Sequence, residues 1–307
     1  MGRFPIEIVG LGKQVDILSR HADSGEESVG IGEGYLSLFG VLKGAGLEFR
    51  GYREYSPSDD SRNIDWKASM RSDKLLVKEY YQEKGIDVVF LYDVSESMLF
   101  GSQKKIKAHY GAEFILALAG TAIESNYNVG LVCFSDKIKK SFLPESGETQ
   151  IPIFLNVLGD HSTYGGKFGL HTALEFINAI YNPGSIIVLV SDFLGDKFEV
   201  GKYRNKFKQI TQRFDLISVV LRDPRDEVMP SQDMDIVVSS PYDDSKQVSF
   251  NVGKVRRRYE EYTKRQKGDL RKFLKDVNSE VLELYTNESF VERTLMFFRK
   301  RGGAALK

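Results

Sequence analysis

From residue 86 onward the chain alternates between two hydrophobic periods. Five short, nearly continuous apolar runs are present: IDVVFLYD (86–93), NVGLVCFS (128–135), SIIVLVSD (185–192), FDLISVVL (214–221) and EVLELYTN (280–287). Between and after them lie longer stretches with apolar residues at three- and four-residue steps: 104–125, 168–181, 197–213, 256–277 and 288–300. A strand without polar alternation must be covered on both faces, and the intervening amphipathic helices supply that cover. The pattern predicts an α/β fold, a doubly wound and mostly parallel sheet, over residues 85–302.

Other segments are fitted around this frame. IKKSFLP (138–144) follows the second run closely and reads as an antiparallel edge strand. Residues 226–250 hold two extended runs around PYDDS and read as a hairpin inserted before the long charged helix. The first 84 residues are rich in Gly, Ser, Tyr and charge, with extended candidates LEFRGYREY and KLLVKEYYQ, and read as a β-rich or irregular segment. The last five residues, 303–307, read as a flexible tail.

Composition narrows the function classes. The 307 residues are 41% hydrophobic, enough for one large core or two modest ones. Lys plus Arg and Asp plus Glu both total 43, which removes the basic footprint of a dedicated nucleic-acid binder. Cys133 lies alone in an apolar run and reads as a small core residue. No window approaches the roughly 18 apolar residues of a membrane helix, no secretory leader is visible, and the protein is expected in the cytoplasm without membrane insertion.

In an open α/β sheet, ligands bind beyond the carboxyl ends of the strands. Asp93 and Asp192 both stand at such ends. In DVSES, hydroxyls at the second and fourth positions after Asp93 add hard oxygens suited to one small cation. DVSES resembles the D-x-S-x-S metal-ion-dependent adhesion site of von Willebrand factor A-like domains. Residues 44–82, SDFL (191–194) and RDPRDEVMP (222–230) are similar to the pattern of the domain of unknown function 58 family, in which such a domain follows.

The resemblance implies that Asp93, Ser95, Ser97 and Asp192 hold Mg²⁺ or Mn²⁺, with an acidic residue of a protein partner completing the shell. It implies a non-enzymatic adaptor working with a MoxR-type AAA+ ATPase in protein assembly or remodelling. One departure stands out: the later loop reads HSTYGGKFGLHT rather than a GGT-type turn. Either Lys167 takes the place of the ion, leaving a scaffold with a degenerate site, or Thr163 or Thr172 supplies the remaining oxygen.

A strand ending in Asp also opens Mg²⁺-dependent phosphohydrolases and phosphotransferases with an aspartate nucleophile, but their second acid two residues on is Ser95 here. The segment 59–71 packs charges around the only tryptophan, so Arg62, Asp65, Trp66 and Arg71 read equally as an ion-pair network or as a partner-docking surface. GIGEGY (30–35) and GVLKGAG (40–46) lack the strand-loop-helix context of a phosphate loop and read as turns. The four histidines lack metal-ligand spacing.

Overall fold

The computed structural model describes residues 49–56, 64–72, 74–80, 85–194, 200–232, 235–240 and 243–305. The glycine-rich turns at 30–35 and 40–46, His21 and Arg62 lie outside the described residues.

In chain order the elements are β1 (Phe49–Glu54), α1 (Trp66–Ser69), β2 (Leu76–Tyr80), β3 (Asp87–Asp93), α2 (Lys107–Glu124), β4 (Asn128–Phe134), β5 (Ile138–Glu145), α3 (Gln150–Leu158) and α4 (Leu170–Ile180). There follow β6 (Ile186–Ser191), α5 (Val200–Arg213), β7 (Asp215–Arg222), β8 (Asp235–Ser240), β9 (Asp243–Asn251), α6 (Val252–Asp276), β10 (Glu280–Tyr285) and α7 (Phe290–Ala305). The main sheet has six strands in the order β10-β7-β6-β3-β4-β5. Five are parallel, and β5 runs antiparallel to β4 at one edge. β1 pairs antiparallel with β2, and β8 with β9, each as a separate two-stranded ribbon.

Alternate residues of each strand face opposite layers, and the core divides accordingly. Val88, Phe90 and Tyr92 of β3 pack with α2, α3 and α7 residues such as Phe114, Phe154 and Phe298. Val89 and Leu91 face the other way, toward Leu174, Phe207 and Phe273 of α4, α5 and α6. Cys133 is buried in the first of these layers, and burial pushes its thiol up to about 12, which leaves it a core residue with little thiolate. The helix α2 approaches the sheet closely at Gly111. A Cβ on Gly111 would stand 2.8 Å from the Tyr92 hydroxyl and 2.9 Å from Leu221 Cδ1, so only glycine permits that approach.

Three boundaries differ from the sequence expectation. The helix α3 (QIPIFLNVL) was not expected, because Pro152 interrupts the pattern; it sits in the first turn, where the missing N–H costs no intrahelical bond. Helix α6 starts at Val252, one turn before the arginine run, with the Asn251 side chain accepting from Lys254 N at 3.2 Å as its cap. The stretch read as a tail is helical as far as Ala305.

Candidate functional site

The strand order reverses between β3 and β6: β3 is followed outward by β4 and β5, and β6 by β7 and β10. Both strands end at this switch point, the place where loops diverge and leave a crevice. Asp93 closes β3, and Asp192 follows Ser191, the last residue of β6. Both carboxylates are fully buried, as is Ser95, with Ser97 nearly so.

A chain of hydrogen bonds joins these side chains. Asp93 Oδ1 accepts from Ser95 N at 2.9 Å, and Oδ2 accepts from Ser191 Oγ at 2.6 Å. The hydroxyls of Ser95 and Ser97 lie 3.3 Å apart, and Ser97 Oγ donates to Asp192 Oδ1 at 3.1 Å. Asp192 Oδ1 also accepts from Leu194 N at 2.9 Å. The turn that makes this possible passes through Phe193 at φ 52°, a left-handed conformation that side chains seldom adopt. The Phe193 N–H donates to Ser191 Oγ at 3.0 Å, which helps hold that conformation.

The other oxygen of Asp192 faces a cation from the chain itself. Lys107, the first residue of α2, is 1% exposed and places Nζ 2.7 Å from Asp192 Oδ2 and 3.1 Å from Asp226 Oδ2. Asp226 belongs to the turn after β7, and its Oδ2 also accepts from Asp223 N at 2.9 Å. At the end of β7, Arg222 donates to the Asp192 main-chain oxygen at 2.6 Å. Asp223 gathers the Ser102 and Arg225 N–H groups, both at 2.8 Å, and the hydroxyls of Ser102 and Thr286.

Charge state follows from these partners. Burial, together with the nearby Asp192 charge, pushes the Asp93 carboxyl up to about 7. Burial acts in the same direction on Asp192, but the Lys107 ammonium, the Leu194 N–H and Arg222 outweigh it and hold that carboxyl below the usual range. Burial disfavours the charged form of Lys107, yet Asp192 and Asp226 outweigh it and keep the group an ammonium. The buried or nearly buried carboxyl groups of Asp93, Asp192 and Asp226 are therefore balanced by two buried cations, Lys107 and Arg222, both of which act on Asp192.

The donor set fits a small hard cation. Octahedral Mg²⁺ with ligands at about 2.1 Å has neighbouring oxygens about 3.0 Å apart. The observed spacings of 3.3 Å between the two serine hydroxyls and 3.1 Å from Ser97 to Asp192 approach that value. Among the described residues, no group of three or more His, Cys, Asp or Glu side chains is arranged to hold a metal ion, so hydroxyls and water would have to supply the balance.

Comparison with known proteins identifies the relationship. The family model described as "Protein of unknown function DUF58" matches residues 51–269, more than half of the chain. The chain belongs to the DUF58 family. It is 21% identical over 193 residues to the uncharacterized protein Mb1516 of Mycobacterium bovis, covering 62% of this chain and 60% of that one. This DUF58 chain therefore spans about 60% of the length of the curated relative it matches. Among solved structures it is similar to the conserved hypothetical protein BatB from Bacteroides thetaiotaomicron, at TM-score 0.48 and 14% identity, over 71% of this chain and 100% of BatB. It is also similar to a von Willebrand factor type A structure from Catenulispora acidiphila, at TM-score 0.38 and 10% identity, over 75% of this chain and 44% of that one.

Within this DUF58 chain the structure brings Asp93, Ser95, Ser97 and Asp192 together. The other sequence candidates fall elsewhere. Lys167 is exposed, and the ammonium sought there stands at Lys107 instead. The reason lies in the preceding glycine pair. The Gly165 N–H donates to Val94 O at 2.8 Å and the Gly166 carbonyl accepts from Glu96 N at 3.0 Å, so this turn closes on the DVSES loop through its backbone. Gly166 is at φ +96°, and a Cβ there would meet Asp136 Oδ1 at 2.8 Å and Ser135 Oγ at 2.9 Å. Thr163 is buried, with its hydroxyl donating to Val157 O at 2.9 Å, whereas Thr172 is exposed on α4.

In the family signature segment, Asp65 caps α1 by accepting from Lys67 N at 3.0 Å and Ala68 N at 3.1 Å, which accounts for that acid structurally. Trp66 and Arg71 are exposed. Sequence reasoning missed Lys107 and gave Asp226 no role, although one signal was available. A lysine in the first turn of a helix opposes the helix dipole, which points to carboxylates waiting for it.

Proposed function

We propose that this chain is a non-enzymatic interaction module that recognises an acidic residue of a protein partner through a divalent cation. The observation that supports it most is the convergence of Asp93, Ser95, Ser97 and Asp192 at the sheet's switch point, linked by the hydrogen bonds described above. Asp93 and Asp192 would provide the charge, Ser95 and Ser97 the neutral oxygens. Bound there, Mg²⁺ or Mn²⁺ would supply an open position with strong affinity for a carboxylate oxygen.

A hydrolytic role finds less support. Both oxygens of Asp93 already accept hydrogen bonds, and the residue two positions on, where a general acid would stand, is Ser95. A second, non-catalytic reading draws on the Lys107 contact: a scaffold in which the ammonium has replaced the ion. Because Lys107 meets Oδ2 of Asp192 and leaves Oδ1 toward Ser97, the cation reading is favoured.

The partner proposed is a MoxR-type AAA+ ATPase, from the family resemblance, with this chain as its adaptor. The test is binding of a purified MoxR-type ATPase in each nucleotide state, with Mg²⁺ or with chelator. Binding in Mg²⁺ that disappears in chelator and in Asp93→Ala is the expected outcome. Binding that persists in both would remove the cation from the docking mechanism, and no binding in any state would remove the ATPase.

A further inference from the structure

We propose that Lys107 sets how tightly the Asp93, Ser95, Ser97 and Asp192 site takes a divalent cation, acting as a built-in competitor for Asp192. This rests on the cation reading above and concerns a residue which that reading does not require.

The geometry is specific. Asp192 is divided between two environments, with Oδ1 turned to the Ser97 hydroxyl at 3.1 Å and Oδ2 held by the Lys107 ammonium at 2.7 Å. The ammonium has little freedom to leave. It is buried, its second acceptor Asp226 is itself fixed by the Asp223 N–H, and the Phe100 ring lies 5.5 Å below it. A buried ammonium is tolerated only with such partners, so the arrangement is a permanent part of the site. Positive charge on one oxygen of a carboxylate weakens the other oxygen as a cation ligand and repels the incoming ion across a poorly screened interior. A partner carboxylate entering the shell restores the missing negative charge. The site is thereby biased to load most firmly when its acidic partner is present.

The alternative is that Lys107 only ties the start of α2 to the loops after β6 and β7. The two roles predict opposite signs. Loss of a tie loosens the site and weakens cation binding, whereas loss of a competing charge strengthens it. The experiment is titration of Mn²⁺ alone into the chelator-stripped full chain, followed by electron paramagnetic resonance. Native protein, Lys107→Met, Lys107→Arg and the double variant Lys107→Met with Asp226→Asn are compared. The double variant removes the ammonium without leaving Asp226 as an unpaired buried charge, and circular dichroism melts establish that each variant is folded.

The expected result is a Kd at least tenfold lower in the folded Lys107→Met proteins, single or double, and close to native in Lys107→Arg. Binding seen only after the lysine is removed would support the proposal equally. A native chain that binds Mn²⁺, with a folded double variant that binds no more tightly, would overturn it while leaving the cation reading intact. No binding in native or double-variant protein would overturn both.

Discussion

At the scale of single residues, the site is a set of buried charges balanced within a few ångströms. Asp93 lies against a second carboxylate with no cationic partner of its own among its hydrogen bonds, and its carboxyl is pushed up to about 7. Asp93→Asn keeps the shape and removes that repulsion, at the cost of one of the two acceptors that face Ser95 N and Ser191 Oγ. In chelator at pH 8 the variant should melt no lower than native protein, or a few degrees above it, since ~1 kcal/mol moves the midpoint of a domain this size by about 2–4 °C. Stabilisation by added Mg²⁺ should disappear.

Asp223 is the converse case. Burial alone would raise its carboxyl, but the Ser102 hydroxyl and N–H, the Arg225 N–H and the Thr286 hydroxyl outweigh it and hold the group below the usual range. A carboxyl lowered on folding binds protons less readily in the native state, so its stabilisation is present above about pH 4 and fades as pH falls below that. Asp223→Asn should therefore cost about 2 kcal/mol at pH 7. The difference from native, measured by urea unfolding, should shrink as the pH is lowered toward 3.

At the scale of elements, much of the fold is legible because its strands and helices obey different periods. The five continuous runs became the five parallel strands, and IKKSFLP, placed by its closeness to β4, became the antiparallel edge strand β5. The inserted hairpin and its pairing also follow from alternation around a turn. What failed was local chemistry that contradicts its own period. Pro152 concealed α3, and Lys107 escaped notice because burial of an ammonium depends on Asp192 and Asp226, which lie 85 and 119 residues away in sequence. The DVSES loop was readable because its three oxygen-bearing residues are contiguous in the chain. Its tie to Asp192 depended on resemblance, because periodicity does not give strand order. The packing of α2 makes a direct element-scale prediction. Gly111→Ala should improve helix propensity by about 1 kcal/mol yet destabilise the protein by roughly 1–3 kcal/mol net, as the new methyl forces Tyr92 and Leu221 apart. A more stable variant on urea unfolding would show that α2 moves away from the sheet without penalty.

At the scale of the whole molecule, a doubly wound sheet buries two apolar layers and brings the loops after β3 and β6 together at its switch point. Among the described residues no helix is long and apolar enough to cross a membrane. The turn after β7 joins the crevice to the rest of that face: Arg222 and Asp226 reach the site, while Glu227 pairs with Lys267 of α6 at 2.8 Å. A partner bound at the cation site would meet this network at its rim, which makes the surface a composite of the β3, β6 and β7 loops.

The most direct measurement is calorimetric titration of Mg²⁺ and Mn²⁺ into chelator-stripped protein, with Asp93→Ala alongside. Saturable binding of one ion to the native chain, and none to folded Asp93→Ala, is the expected result. Equal heats from both proteins, or binding that survives the substitution, would contradict the cation reading.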